Sequence, residues 1–194
     1  MTVTVIEDAA QEAVHGWRLL TGRIAVESDA RLRANLEIVA RHFDAEARGD
    51  IPALMATLAA EPQYDLFGAA RVSGPKGYEA VKAFYEASNE AGHNRMEFEL
   101  CRVTVDRASV ITEGVMRHAY SGASLSALGD DHGLALQPRA WYLVECPALT
   151  VWLISPGGLI DGQRVYFGEL PRIGRKLAAG ECPHLGPISR TYAV

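Results

Sequence analysis

Apolar residues recur three and four positions apart through the first half of the chain and two apart through much of the second. The first spacing lines one face of a helix, and the second lines one face of a strand. Ala10, Ala13, Val14, Trp17, Leu20 and Ile24 predict an amphipathic N-terminal helix, weakened by Gly16 and Gly22. Leu32, Leu36, Val39, Ala40 and Phe43 form a clearer stripe, with Gly49 as its natural stop. Asp50 can then cap a short third helix in "IPALMATLAA", where Pro52 is tolerated in the first turn. "EPQYDLFGAARVSGPKG" breaks the helical period and reads as a strand with turns. "GYEAVKAFYEASNEAG" is a further helix burying Tyr78, Val81, Phe84 or Tyr85, and Ser88, closed by Gly92.

Beyond Gly92 the runs become strands: "RMEFELCRVTV", "SVITEGVMRHAY", "RAWYLVEC", "ALTVWLIS" and "QRVYFG". They are rich in β-branched and aromatic residues, and turns such as "SPGG" lie between runs. Helices followed by strands predict an α+β fold, with helices on one face of a mostly antiparallel sheet. "SGASLSALGDDHGLALQP" and the Gly- and Pro-rich tail after Leu170 read as loops able to cover a pocket or a neighbouring subunit. The chain divides into an N-terminal helical extension over 1–30, one domain over 31–170 and a C-terminal extension over 171–194.

At 194 residues the chain suits one domain with extensions. A net charge of -5, with acidic and basic residues interspersed, argues against a nucleic-acid or anionic-membrane partner. The start has no basic n-region and no long apolar core, and no apolar run reaches a bilayer's thickness, so a cytoplasmic protein is expected. Cys101, Cys146 and Cys182 lie far apart and are odd in number, which suits reduced thiols. The "CPH" at Cys182–His184 has no partner pair at metal-ligand spacing and reads as a loop. No nucleotide, zinc or serine-hydrolase motif is present, and neither a metal nor a cofactor is expected.

"VARHFDAEARGDIPALMATLAAEP", "YDLFG", "GYEAVKAFYEAS" and "GGLIDGQRVYFGE", in that order and spacing, resemble the nuclear-transport-factor-2-like superfamily over residues 31 to 170. Its members include ketosteroid isomerases, SnoaL-like polyketide cyclases, limonene-epoxide hydrolases and scytalone dehydratase. The resemblance implies a curved sheet closed by helices into a deep, mostly apolar cone. It also implies a homodimer through the outer face of the sheet. Asp65 falls near the place where ketosteroid isomerases carry their catalytic base, although the Asp65–Gly77 loop is longer here. The oxyanion-holding Tyr and Asp of those enzymes align with His42 and Thr150. The epoxide hydrolases' essential positions correspond to Gly114, Met116 and Val165, which cannot supply their Arg and Asp residues. The scytalone dehydratase helix positions hold Glu46 and Ala47, leaving His118 as the match. SnoaL-like cyclases, with an acid/base Asp and His in an apolar cone, remain compatible.

Asp65 is either a general base raised by apolar surroundings or a strand-end Asp bonding its own backbone. Strand alternation puts His118 on one face with Met116 and Tyr120, and Glu113 and Arg117 on the other. His118 is either an inward proton donor or a half-buried strand histidine. Glu113 and Arg117 read as a surface or interface pair, and Glu145 faces either inward or solvent. His42 faces either a substrate carbonyl or water. Asp65, His118 and His42 are therefore the expected catalytic residues. Tyr64, Phe67, Met116, Tyr120, Trp141, Thr150 and Trp152 are the expected substrate contacts, suited to a flat or polycyclic ligand.

The resulting expectation is a cofactor-independent enzyme that removes a proton next to a carbonyl on a hydrophobic cyclic or polyketide-like compound. The outcome would be isomerisation, cyclisation or dehydration. The alternatives are a non-catalytic protein holding a lipophilic ligand in the same cone, and a dimerisation module whose cone is filled by side chains.

Overall fold

A computed structural model describes residues 17–68, 73–127, 135–168 and 172–178. The first helical residues predicted (Ala10, Ala13 and Val14), the "CPH" loop and most of the tail lie outside the described residues. Helix α1 spans Arg18–Val26, with Leu20 buried. It is followed by α2 over Ala30–Arg48 and α3 over Ile51–Met55. The capping follows the local chemistry. Asp29 accepts from the backbone N–H groups of Arg31 and Leu32, Gly49 closes α2 in the left-handed conformation at φ 68°, and Asp50 accepts from Ala53. Strand β1 covers Leu58–Gly68, and α4 covers Tyr78–Glu90. Of the two aromatic candidates on α4, Tyr85 is buried and Phe84 is exposed. Tyr78, expected inside, is exposed as well.

The remaining elements are β2 over Met96–Val105, β3 over Ser109–Ser121 and a one-turn helix α5 over Gly122–Ala127. Strands β4, β5 and β6 then cover Trp141–Ile154, Ile160–Phe167 and Arg172–Lys176. They form one six-stranded sheet in the order β1-β5-β4-β3-β2, with β6 paired to β4. Among the described residues, only the β1–β5 pairing is parallel. The fold is the α+β arrangement that the pattern of periods predicts.

The runs "RAWYLVEC" and "ALTVWLIS" are one continuous strand rather than two. Pro147 sits between them without breaking the ladder. Its carbonyl accepts from Gly168, so its missing N–H faces the same edge, where β6 pairing ends and β5 pairing begins. The terminal extensions also join the body of the fold. Trp17 and Leu20 belong to the main core, where Trp17 stacks on Phe43 at 5.3 Å, and β6 extends the sheet. That core gathers Leu36, Val39 and Phe43 of α2, Val81 and Tyr85 of α4, and the inner residues Tyr64, Phe98 and Trp152 of the sheet. A bulge after Leu100 shifts the phase of β2, so that Val103 and Val105 continue the inner face. Among the described residues no helix is long and apolar enough to cross a membrane.

Candidate functional site

Two polar groups sit among the apolar side chains of the sheet's inner face. The first begins at His42, which α2 places one turn beyond Ile38 on its buried side. His42 Nδ1 lies 2.7 Å from Thr57 Oγ1, and Thr57 donates its only hydroxyl proton to the Leu54 carbonyl at 2.6 Å. Thr57 must therefore accept from His42, which leaves the proton on Nδ1 and a lone pair on Nε2. Nε2 lies 3.0 Å from the Tyr85 hydroxyl and 3.1 Å from Gln163 Nε2. Gln163 also donates to Tyr85 at 3.3 Å, and Tyr85 donates to the Tyr64 hydroxyl at 3.3 Å. The His42 ring meets Trp152 edge-on at 5.3 Å, and the indole N–H of Trp152 donates to Thr112 at 2.9 Å. Burial pushes His42 down to about 3, so the imidazole is neutral.

The second group comprises Glu46, His118, Tyr120 and His93. Glu46 follows His42 by four residues and shares its face of α2. Burial pushes its carboxyl up to about 7. No described residue forms a hydrogen bond or an ion pair with that carboxyl. Burial raises the phenols of Tyr64, Tyr85 and Tyr120, and the nearby Glu46 charge adds to each shift. Tyr120 reaches about 12, with Cys146 contributing more than Glu46. His118 falls to about 4 through burial and the neighbouring His93 charge. The Tyr120 ring centroid lies 4.3 Å from that of His93 and 5.3 Å from that of His118.

Glu46, His118 and Tyr120 are deep enough for burial to dominate their pKa values, yet each keeps some surface open. Side chains of that kind border the packed core without being sealed inside it. The arrangement can exchange a proton near neutral pH through Glu46. It can also offer neutral hydrogen-bond donors in surroundings that hold little water.

The expected site residues separate by strand face. Met116, His118 and Tyr120 share the inner face of β3 with buried Thr112, while Thr150 and Trp152 are buried on the facing side of β4. Tyr64 points inward from β1 and is 2% exposed. Asp65, next in the strand, faces the other way and forms a salt bridge with Lys76, both partly exposed. Phe67 shares that outer face and stacks on Tyr166 at 4.8 Å. Asp65 is thus separated from His118 and His42 by the thickness of the strand. Trp141 lies outside the inner group too, packed with Ala119 and Leu177 beneath the Arg95 guanidinium at 4.8 Å. Glu113 and Arg117 do not pair with each other. Glu113 meets Arg102 at 3.3 Å, and Arg117 holds both Glu145, at 2.9 Å, and Glu99.

Glu46 is the residue that periodicity passed over, whereas Tyr85 was one of its two aromatic candidates on α4. The signal for Glu46 was an acid continuing the stripe of Val39 and Phe43. Among the described residues, no three His, Cys, Asp or Glu side chains converge as ligands for a metal ion.

A family model described as a SnoaL-like domain matches residues 39–135, half of the chain. No curated protein matches the sequence. Among solved structures, a protein from Jannaschia sp. CCS1, provisionally described as a SnoaL-like polyketide cyclase, superposes with a TM-score of 0.55 at 21% identity. That superposition covers 73% of this chain and 90% of the other. An NTF2-like protein from Anabaena variabilis ATCC 29413 gives 0.53 at 17% identity, covering 74% and 95%. SalBIII, an epoxide hydrolase/cyclase-like enzyme of pyran ring formation in polyether salinomycin, gives 0.51 at 18%, covering 69% and 90%. At these identities the structural likeness concerns the fold alone.

Proposed function

Because the chain belongs to the SnoaL-like domain family and has the nuclear-transport-factor-2-like fold, we propose that it is a cofactor-independent acid/base enzyme acting on a hydrophobic cyclic or polyketide-like carbonyl compound. The observation that carries this reading is the Glu46 carboxyl, raised to about 7 by burial and free of any described ion-pair partner. A carboxyl with that pKa is divided between acid and base at neutral pH, where a proton-transfer catalyst is most effective. Glu46 takes a proton from the carbon next to the substrate carbonyl and later returns it. His118, neutral near pH 7 because its pKa lies at about 4, serves as a hydrogen-bond donor through its ring N–H rather than as an acid. His42 has both ring nitrogens engaged with wall residues and supports the site from behind. Asp65, expected to be the base, has no part in this reading, since Lys76 holds it on the outer face.

The test is exchange of the α-protons of 2-tetralone in D2O, followed by NMR. The wild-type protein should accelerate exchange, with a rate rising through pH 7 as Glu46 ionises. Glu46→Gln should lower the rate by about 10²-fold or more. Loss of exchange in Asp65→Asn, with Glu46→Gln unaffected, would return the base to Asp65. Tight retention of hydrophobic ligands without any exchange would instead favour the reading of a non-catalytic binding protein.

A further inference from the structure

We propose that an open cleft between β6 and the turn before β4 holds an oxyanion of the ligand, a carboxylate or a phosphate monoester, between Arg139 and Lys176. The substrate class then narrows to hydrophobic carbonyl compounds with an anionic end, a step that rests on the reading of Glu46 as the base.

The cleft has a volume of about 680 Å³ and is lined by Gln137, Pro138, Arg139, Ala140 and Lys176. Two of these residues are cations and none is an acid. The Arg139 guanidinium forms no hydrogen bond or ion pair with the described residues. Lys176 donates to the side-chain oxygen of Gln137. An ammonium has no lone pair, so the Gln137 oxygen must face it, and the Gln137 NH2 keeps its protons unspent. Guanidinium, ammonium and amide donors around one space, with the only side-chain acceptor already taken, match an oxyanion. The whole chain carries a net charge of -5, so its overall field does not favour anions.

The turn that carries Arg139 is fixed before any ligand arrives. Ala140 donates to the Gln137 carbonyl at 3.0 Å, and Gly122 and Ala123 donate to the Ala140 and Pro138 carbonyls at 2.8 and 3.1 Å. The Gln137 N–H donates to the Tyr142 hydroxyl at 2.9 Å. A Cβ at Gly122 would lie 2.1 Å from the Gln137 carbonyl oxygen, so α5 meets the turn this closely only through a glycine. Binding therefore has to order side chains but not backbone.

Strand register places the cleft beside the second polar group. Tyr120 pairs with Tyr142 across β3 and β4, and Tyr142 pairs with Lys176 across β4 and β6. Paired residues share a face, so these three form one row on the inner side of the sheet. At roughly 4.8 Å per strand, Lys176 stands about 10 Å from Tyr120. Tyr120 in turn feels the Glu46 charge. Between the two ends, Leu125, Tyr142 and Val144 form an apolar cluster suited to the hydrophobic middle of a ligand. A fused bicycle is long enough to span the row.

Calorimetric titration with 2-tetralone bearing a 6-carboxylate, a 6-phosphate or a 6-carboxamide tests the cleft without any turnover. At low ionic strength the wild-type protein should bind an anion about fivefold tighter than the carboxamide, with a smaller margin at about 0.5 M salt. The anion with the larger margin identifies the oxyanion. Arg139→Gln and Lys176→Gln should each cut the margin about threefold. Arg33→Gln removes the same charge from α2 and should leave the margin intact. All three side chains are exposed, so the variants should keep the fold. Equal wild-type affinity for the anions and the carboxamide overturns the assignment, as does failure to bind any of the three. An equal loss of margin in Arg33→Gln and Arg139→Gln also overturns it, since net charge alone would then explain the preference. Exchange of 2-tetralone without an anion margin removes the cleft and keeps the base. An anion margin without exchange removes the base and keeps the cleft.

Discussion

Glu46 places an ionisable group where α2 otherwise buries Val39, His42 and Phe43. Its raised pKa has a consequence for stability as well as for chemistry. The folded protein holds this proton up to about pH 7, whereas an unperturbed Glu releases it near 4.5. Protonation therefore favours the folded state. Its contribution is fully present below pH 4.5 and is lost as the pH rises through 7. Glu46→Gln should accordingly stabilise the protein at pH 8 by roughly 2–3 kcal/mol and have little effect at pH 4, as measured by urea unfolding at both. An equal effect at both values would mean that the carboxyl is not held in a desolvated place. His42 works in the other direction: with a folded pKa of about 3, it costs stability as the pH falls below 6.5. The acid on the stripe could be read in the sequence as a departure from the apolar pattern. The tyrosines of β1 and α4 that feel its charge could not, because nothing in local sequence says which residues lie opposite it.

Among the elements, β3 makes a strict demand on a single position. A Cβ at Gly114 would lie 2.1 Å from the Glu99 carbonyl oxygen, so β2 closes over β3 only where no side chain intervenes. This also removes the epoxide-hydrolase arginine position on steric grounds, beyond the mere absence of the residue. Gly114→Ala should force β2 and β3 apart and destabilise the protein by about 2 kcal/mol or more, measured by thermal or chemical unfolding. A change below about 0.5 kcal/mol would show that the pair of strands can separate cheaply there. The helices were largely legible from their ends, since Asp29, Gly49 and Asp50 act on backbone groups within a few residues. The strands were legible as runs, but the joining of "RAWYLVEC" to "ALTVWLIS" depended on neighbours. Pro147 is tolerated because its edge faces the gap between β5 and β6, a fact of sheet order that the proline itself does not carry.

For the whole molecule, the outer face of the sheet exposes the stacked pair Phe67 and Tyr166, 41% and 43% accessible, beside the partly buried Leu149 and Val151. We propose that this face meets a second copy of the chain, as the family resemblance suggests. Sedimentation at micromolar concentration should give a dimer, and Phe67→Ser with Tyr166→Ser should shift it toward monomer. A wild-type monomer under those conditions would end the proposal. At this scale the division of information is clear. Periodicity, caps and turns act over a few residues, so they determined the order of helices and strands, the α+β class and the family motifs. Which face of each strand looks inward was decided only by assembly. Strand β1 carries an aromatic and an acid side by side, and a slip of one residue exchanges them. Packing sends Tyr64 inward to Tyr85 and leaves Asp65 outside with Lys76. Burying Asp65 would have required desolvating a charge, whereas burying Tyr64 requires only a partner for its hydroxyl, and Tyr85 supplies it.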